Sequence, residues 1–199
     1  KKNIVHAHTT WPLYFSAIAT IGFKTINFYT EHNTYNGRRK FKFLKLLETY
    51  IYSKFHKIIC ISKSTKKNLI KWLSITSDDK KIVIVKNGSR LFNTIIRKKI
   101  NPKKLRLVSI GLLNKKKGFD IAIKTIFLLK DQIDHYTIIG DGNQKKKLLD
   151  LARKLGVMDK IFITGYKKNF KSYLSNSDIG LVPSRWEGFG LVSVEMLST

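Results

Sequence analysis

Residues 178–198 combine a β-branched run, a loop with two glycines and an apolar segment with helical spacing. The run is Asp178-Ile-Gly-Leu-Val182, and the loop and helix are Ser184-Arg-Trp-Glu-Gly-Phe-Gly-Leu-Val-Ser-Val-Glu-Met-Leu-Ser198. Gly188 and Gly190 let the backbone come close to a ligand, and the amides of a first helical turn attract anions. Glu187 and Glu195 carry carboxylates suited to accept hydrogen bonds from sugar hydroxyls. The segment therefore predicts an anion and diol site, the alternative being an ordinary strand-to-helix turn with solvated acids.

Strand and helix signals alternate on both sides of a polar, basic stretch from Ser89 to Lys104, which contains Pro102. Before it, the predicted strands are Asn3–Ala7, Thr25–Tyr29, Lys57–Ile61 and Lys81–Val85. After it, they are Leu105–Ile110, His135–Ile139, Lys160–Thr164 and Asp178–Val182, with helices near 118–131, 143–155 and 168–176. Such alternation predicts parallel sheets covered by helices. We expect two Rossmann-like domains, residues 1–95 and 96–199, both incomplete because each has fewer strands than a doubly wound domain usually carries.

The ends of the sequence and its single cysteine give further expectations. The chain begins at Lys1, and Thr199 follows an apolar helical pattern that no Gly, Asn or Pro closes, so we expect an internal fragment of a longer chain. Cys60 lies in an apolar run, which predicts a buried, inert thiol. No apolar run reaches membrane-spanning length, and we expect a cytoplasmic protein.

A formal charge of +26 is the main bulk feature of the chain. Lysines are spread over every helix-like segment and outnumber arginines, whereas readers of nucleic acid favour clustered arginine with interleaved aromatics. We therefore expect no nucleic-acid partner. The basic segment from Arg38 to Lys57 is a candidate for binding an anionic membrane surface. The alternative is that Leu44, Leu47, Ile51 and Phe55 form one face that packs into the domain core.

The segment from Glu187 to Glu195 resembles a motif of the family 4 glycosyltransferases, which are retaining enzymes of the GT-B fold. In that motif, two acidic residues with seven residues between them flank a Gly-Phe-Gly loop. Glu187 and Glu195 have that spacing. The resemblance implies that Glu195 holds the ribose of the donor nucleotide and that Glu187 contacts the donor sugar. It also implies that the amides of Gly188, Phe189, Gly190 and Leu191 serve the sugar and phosphates.

Other segments resemble the family in the same order along the chain. Thr30-Glu-His-Asn33 is similar to the active-site histidine segment, which implies that His32 lies beside the reacting centre, and Val5-His-Ala-His8 is similar to an earlier histidine-bearing strand end. Taken alone, a histidine at a strand end is more often structural. Weaker matches are Ile59-Cys-Ile-Ser-Lys-Ser64, with Ser62 as a helix cap, Val85-Lys-Asn-Gly-Ser89 and Ile138-Ile-Gly-Asp-Gly142.

The second half opens with Ile110-Gly-Leu-Leu-Asn-Lys-Lys-Lys-Gly-Phe-Asp120, similar to the family's Lys-Gly-x-Asp segment. Lys117 would then meet the donor diphosphate and stabilise the charge that grows as the glycosidic bond breaks. Leu112 stands where the family usually has arginine, and Lys115 or Lys116 are candidate substitutes. No Asp-x-Asp pair or His/Cys cluster predicts a metal site, so we expect neither metal nor cofactor.

The resemblance implies a transferase that moves a hexose from a nucleotide sugar to a glycan or lipid-linked glycan in bacterial surface-polysaccharide assembly. It also allows a peripheral position on the inner face of the plasma membrane. Three other classes compete. A nicotinamide-dependent oxidoreductase fails because Ser193 replaces the third glycine of the dinucleotide fingerprint. A basic nucleic-acid-binding module and an inactive truncated relative remain as alternatives.

Overall fold

The computed structural model describes residues 3–76, 78–88 and 100–198. The chain divides into two compact units. The first unit comprises Lys1–Gly88 and Glu187–Phe189, and the second comprises Ser89–Trp186 and Gly190–Thr199. The predicted boundary between residues 95 and 96 lies outside the described residues.

The first unit is a parallel sheet of four strands in the order β1-β2-β3-β4. Its strands are β1 (Asn3–His8), β2 (Thr25–Glu31), β3 (Lys57–Cys60) and β4 (Ile82–Ile84). Its helices are α1 (Thr10–Ala19), α2 (Leu44–Ser53) and α3 (Lys63–Leu73), and a 3-10 turn spans Gly37–Lys40. Ser62 caps α3 as predicted, because its Oγ accepts a hydrogen bond from the amide of Thr65 at 3.1 Å.

The inner face of α2 differs from the predicted one. Ile51 and Phe55 are buried, as predicted, but Leu47 is 49% exposed and Leu46 is 82% exposed. Glu48 takes the inward position and is fully buried, which an apolar pattern cannot predict. Its Oε1 accepts a hydrogen bond from Tyr14 at 2.6 Å. Partners from other elements thus allow a carboxylate in the core.

Glu48 also contacts Trp72 and Arg38, and Arg38 belongs to the basic run Arg38-Arg-Lys40. Trp72 Nε1 donates to Glu48 Oε2 at 2.7 Å, and the Arg38 guanidinium lies 3.1 Å from Oε1. Arg38 and Arg39 therefore point toward buried carboxylates, while Lys40 is exposed. The predicted burial of Cys60 is confirmed, and burial raises the pKa of its thiol to about 12.

The second unit has a parallel sheet of four strands in the order β7-β6-β5-β8. Its strands are β5 (Leu105–Ile110), β6 (Ile133–Ile139), β7 (Ile161–Gly165) and β8 (Ile179–Gly180). Its helices are α4 (Phe119–Leu128), α5 (Lys145–Lys154), α6 (Lys171–Ser175) and α7 (Leu191–Leu197), with 3-10 turns at Lys115–Lys117 and Met158–Lys160. The prediction of two parallel sheets of four strands is confirmed.

Each unit has its own core. In the first, Tyr29, Tyr52 and Phe55 pack with the aliphatic residues of the sheet. In the second, Tyr136 and Ile138 of the central strand pack against α4 and α5. Among the described residues, no helix has both the length and the apolar composition needed to cross a bilayer.

Candidate functional site

Three histidines meet at the carboxyl ends of β1 and β2. His6 and His8 lie two residues apart on β1, so their side chains share one face, and His32 follows β2 directly. His8 Nδ1 and His32 Nε2 are 3.0 Å apart, and His6 Nε2 is 2.8 Å from Thr30 Oγ1. One ring of the His8–His32 pair must donate its N–H while the other accepts, which couples their tautomers.

Two of the three histidines, His6 and His32, favour the neutral ring. The pKa of His32 is lowered by burial and by the nearby His8, against an opposing effect of Glu31. The pKa of His6 is lowered by burial, by His8 and by His32. A neutral imidazole can both donate and accept a hydrogen bond.

Glu31 fixes the backbone before His32. Its carboxylate is buried, and its Oε2 accepts from Arg39 Nη2 at 2.9 Å and from the Tyr52 hydroxyl at 2.8 Å. Its Oε1 accepts from the amide of Asn33 at 3.2 Å. The residues on both sides of His32 are therefore held. Sequence reasoning missed Glu31 because its partners lie elsewhere in the chain.

Glu187–Phe189 belongs to the first unit and lies against His32. Thr34 Oγ1 donates to the carbonyl of Glu187 at 2.9 Å. A side chain at Gly188 would overlap the carbonyl oxygen of His32 and come within 3.0 Å of Ile61 Cδ1. Glycine is required at this position, and the structure brings two predicted site residues, His32 and Gly188, into contact.

In the second unit, Lys117 ends a 3-10 turn that follows β5. Asn114 Oδ1 accepts from the amide of Lys117 at 3.2 Å. Gly118 then adopts a left-handed conformation, and a Cβ there would overlap the carbonyl oxygen of Pro183. A Cβ at Gly111 would lie 3.2 Å from Lys117 Cε, so this glycine leaves room for the lysine stem. Lys117 is thereby placed at the carboxyl end of β5.

Arg185 ties this turn to the segment before the glycine loop. Its Nη1 donates to the carbonyl of Lys115 at 2.8 Å, and its amide donates to the carbonyl of Lys116 at 2.8 Å. Its guanidinium also pairs with Asp120, with the closest contact at 2.6 Å, and this hydrogen bond lowers the pKa of Asp120. Sequence reasoning missed Arg185, although it lies two residues before Glu187.

A cavity of about 370 Å³ opens at the carboxyl ends of β5, β6 and β7. In open parallel sheets, ligands bind at this edge. The lining residues come from three loops: Ile110, Gly111, Leu112, Ile139, Gly140, Asp141, Tyr166, Lys167, Lys168 and Phe170. Lys167 and Lys168 line the cavity beside Leu112, whereas Lys115 and Lys116 are not among its lining residues. The sequence signal for residues 166–170 was their position directly after a predicted strand.

The helix after the glycine loop is short. Gly190 is left-handed and precedes α7, in which Glu195 is half-buried. Met196 packs against Val108 and Ile139 and anchors the helix on the sheet. The cavity lining does not include Lys117, Gly190, Leu191 or Glu195. Within the described ranges, no group of three or more His, Cys, Asp or Glu side chains is arranged to hold a metal ion.

Each unit has a parallel sheet flanked by helices, which defines a Rossmann-like protein of two units. The first sheet carries the histidine group at its carboxyl edge, and the second carries the cavity. Residues 92–199 match the family described as Glycosyl transferases group 1, and residues 1–90 match Glycosyltransferase Family 4. The chain belongs to the family 4 glycosyltransferases of GT-B type, as the resemblance implied.

Relatives and solved structures agree with the family. The chain is 33% identical over 87 residues to the O-antigen biosynthesis glycosyltransferase WclY of Escherichia coli, covering 44% of this chain and 24% of the relative. It is 29% identical over 157 residues to N-acetylgalactosamine-N,N'-diacetylbacillosaminyl-diphospho-undecaprenol 4-alpha-N-acetylgalactosaminyltransferase of Campylobacter jejuni, covering 77% of this chain and 42% of the relative.

The crystal structure of Anabaena Alr3699/HepE in complex with UDP and glucose has a similar fold. It superposes with a TM-score of 0.82 at 17% identity, covering 98% of this chain and 56% of that one. The chain thus spans less than two thirds of the length of each of these three proteins.

Proposed function

We propose that this chain carries the donor-binding machinery of a retaining hexosyltransferase, which moves a hexose from a nucleoside-diphosphate sugar to a hydroxyl of a glycan or lipid-linked glycan. The observation that carries the proposal is the cavity at the carboxyl edge of the second sheet, with the Lys117 turn beside it. We propose retention of the anomeric configuration because the family 4 glycosyltransferases are retaining enzymes. Support for a nucleotide donor comes from the Anabaena protein, whose structure contains UDP and glucose.

The donor diphosphate would meet Lys117 and the amides of Gly190 and Leu191. As the bond between sugar and phosphate breaks, negative charge grows on the diphosphate, and a fixed lysine stabilises that charge more in the transition state than in the ground state. Lys167 and Lys168 add positive charge at the cavity in place of the arginine that Leu112 replaces. We expect no metal ion, because these groups would carry the diphosphate charge.

Glu195 would accept hydrogen bonds from the ribose of the nucleotide. In the first unit, Glu187 and the amides of Gly188 and Phe189 would serve the donor sugar, and His32 would lie beside the reacting centre. The hydrogen bond from Thr34 to the Glu187 carbonyl and the contact of Gly188 with His32 support a common role for these residues.

The acceptor would be a lipid-linked glycan in the assembly of a bacterial surface polysaccharide. The names of two relatives support this class, one an O-antigen enzyme and the other a transferase acting on a diphospho-undecaprenol compound. A lipid-linked acceptor requires access to a membrane. We therefore place the protein in the cytoplasm, peripheral on the inner face of the plasma membrane.

The membrane-facing surface would be the start of α2 and the turn before it. Phe43 is 75% exposed and Leu46 is 82% exposed, and Lys42 is also exposed nearby. Apolar side chains flanked by lysines suit an anionic bilayer interface.

A donor screen with a lysine variant tests the proposal. The chain should bind one nucleoside diphosphate sugar among uridine, guanosine and adenosine donors, as measured by calorimetry. Lys117→Gln should weaken that binding about ten- to a hundred-fold, because a charge-assisted phosphate contact is lost.

Lys130→Gln is the matched control, because Lys130 is an exposed lysine beyond the end of α4 and away from the cavity lining. It should leave the affinity unchanged. No binding to any donor, or equal losses in both variants, would contradict the assignment.

A further inference from the structure

A second cavity, of about 410 Å³, lies in the first unit between the loop after β2 and the outer face of α3. None of the residues assigned to the donor lines it. The residues that give it its chemistry are Asn36, Arg39, Lys40, Asn68, Lys71 and Trp72. The cavity therefore combines three cationic side chains and two side-chain amides with the indole of Trp72.

The charge of this cavity is one-sided. No Asp or Glu is among its lining residues. Two buried acids contact lining residues: Glu31 accepts from Arg39 Nη2 at 2.9 Å, and Glu48 accepts from Trp72 Nε1 at 2.7 Å. Arg39 Nε and Nη1 are buried and have no hydrogen-bond partner among the described residues. Buried guanidinium donors without an acceptor are costly.

The cavity also adjoins the Glu187 segment of the same unit. Thr34 is part of the cavity wall, and its Oγ1 donates to the Glu187 carbonyl at 2.9 Å. A ligand group in the cavity would thus lie next to the residues assigned to the donor sugar.

We propose that this cavity binds a phosphate or diphosphate group carried by the acceptor. A guanidinium presents two parallel donors to phosphate oxygens, and lysines add point charges. The side-chain amides of Asn36 and Asn68 are further donors. The phosphate chemistry follows from the cavity alone, whereas its assignment to an acceptor rests on the proposed function.

The three tryptophans of the chain permit a site-by-site test. Trp72 lines the cavity, Trp186 precedes the donor loop, and Trp11 lies on α1. Labelling the chain with 5-fluorotryptophan gives three ¹⁹F signals, which single Trp→Phe variants assign. Inorganic pyrophosphate, farnesyl diphosphate and UDP are then titrated separately at constant ionic strength.

Both pyrophosphate and farnesyl diphosphate should shift the Trp72 signal to saturation and leave the Trp11 signal in place. Lys71→Gln and Lys40→Gln should each raise the dissociation constant read at Trp72 about five- to thirty-fold. Lys67→Gln is the matched control, since Lys67 is exposed on the same helix but does not line the cavity. Arg39→Lys keeps a cation for Glu31 while it removes the guanidinium fork, and it should weaken binding without unfolding the chain.

Three results would overturn the inference. The first is a Trp72 signal that does not respond to pyrophosphate. The second is a loss of affinity in Lys67→Gln as large as that in Lys71→Gln, which is expected of a diffuse basic surface. Binding of pyrophosphate with exclusion of farnesyl diphosphate would remove the acceptor assignment and leave a site for free phosphate. Failure of the proposed function is a separate result, in which UDP does not shift the Trp186 signal.

Discussion

The two units have parallel sheets of four strands but differ in what stands at the carboxyl edge. The first unit presents titratable side chains there, with His8 and His32 in contact and Glu31 buried behind them. The second presents loops with glycines around a cavity at that edge. Its buried acid, Asp178, pairs with Arg106 at 2.8 Å near the start of β5, and Tyr136 donates a hydrogen bond of 2.6 Å to Ser109. The same type of sheet thus carries titratable side chains at its carboxyl edge in the first unit and a cavity there in the second.

The largest expected effect lies in the charged interior of the first unit. Glu31→Ala leaves the Arg39 guanidinium buried without its carboxylate and should lower the free energy of unfolding by about 3–5 kcal/mol. Urea unfolding followed by the amide NMR signals of each unit would measure it.

Two variants in the second unit sharpen this comparison. Tyr136→Phe removes a neutral hydrogen bond and should cost about 0.5–1.5 kcal/mol. Asp150→Ala removes an exposed ion pair of 2.7 Å with Arg153 and should cost less than about 1 kcal/mol. If Glu31→Ala cost no more than Tyr136→Phe, the buried carboxylate of Glu31 would not stabilise the first unit more than a neutral hydrogen bond stabilises the second.

A smaller effect concerns the membrane-facing surface. Replacing Phe43 and Leu46 by serine should weaken co-sedimentation with phosphatidylglycerol vesicles about ten-fold or more, because exposed apolar side chains would no longer enter the interface. Leu128→Ser is the control, since Leu128 is 76% exposed on the second unit. Equal losses in the two proteins would show that binding does not depend on the α2 surface.

The smallest effect is electrostatic and concerns the histidine group. The NMR titration midpoints of His6 and His32 should lie below the ordinary histidine value of about 6.5. A lowered pKa means that the unfolded chain takes up protons first, so the stability contributed by the neutral rings is present above that value. It is lost as the pH falls through the folded-state pKa.

His8→Asn tests the cause of these shifts. It removes the electrostatic effect of His8 on both rings and should raise both midpoints, since His8 lowers the pKa of each. His135→Asn, in the second unit, should leave them unchanged. Unmoved midpoints in His8→Asn would contradict the contact between the rings.

The fold could be predicted from the sequence because its signals are local. Each of the eight strands in the described part of the chain contains at least one β-branched residue, and Ser62 caps α3 through residues three positions apart. The inner face of α2 could not be predicted from the sequence, because Glu48 enters the core with partners from α1, α3 and the Arg38 turn.

The candidate site likewise contains residues that the sequence could predict and residues that it could not. Lys117 and the Glu187–Glu195 spacing stand out in the sequence as a resemblance. The cavity residues Tyr166 and Lys167 and the clamp formed by Arg185 and Asp120 depend on loops that meet only in the folded chain. Composition and periodicity carry no signal for such contacts.

The central claim is that Glu195 serves the nucleotide and Glu187 serves the sugar. Calorimetric titration of the protein, Glu195→Gln and Glu187→Gln with UDP and with the matching nucleotide sugar tests it most directly. Glu195→Gln should lose about 1.5–3 kcal/mol, or roughly ten- to a hundred-fold in affinity, for both ligands. Glu187→Gln should bind UDP as the unchanged protein does and lose affinity only for the nucleotide sugar. Equal, small effects of both variants on both ligands would contradict the claim and place the donor elsewhere.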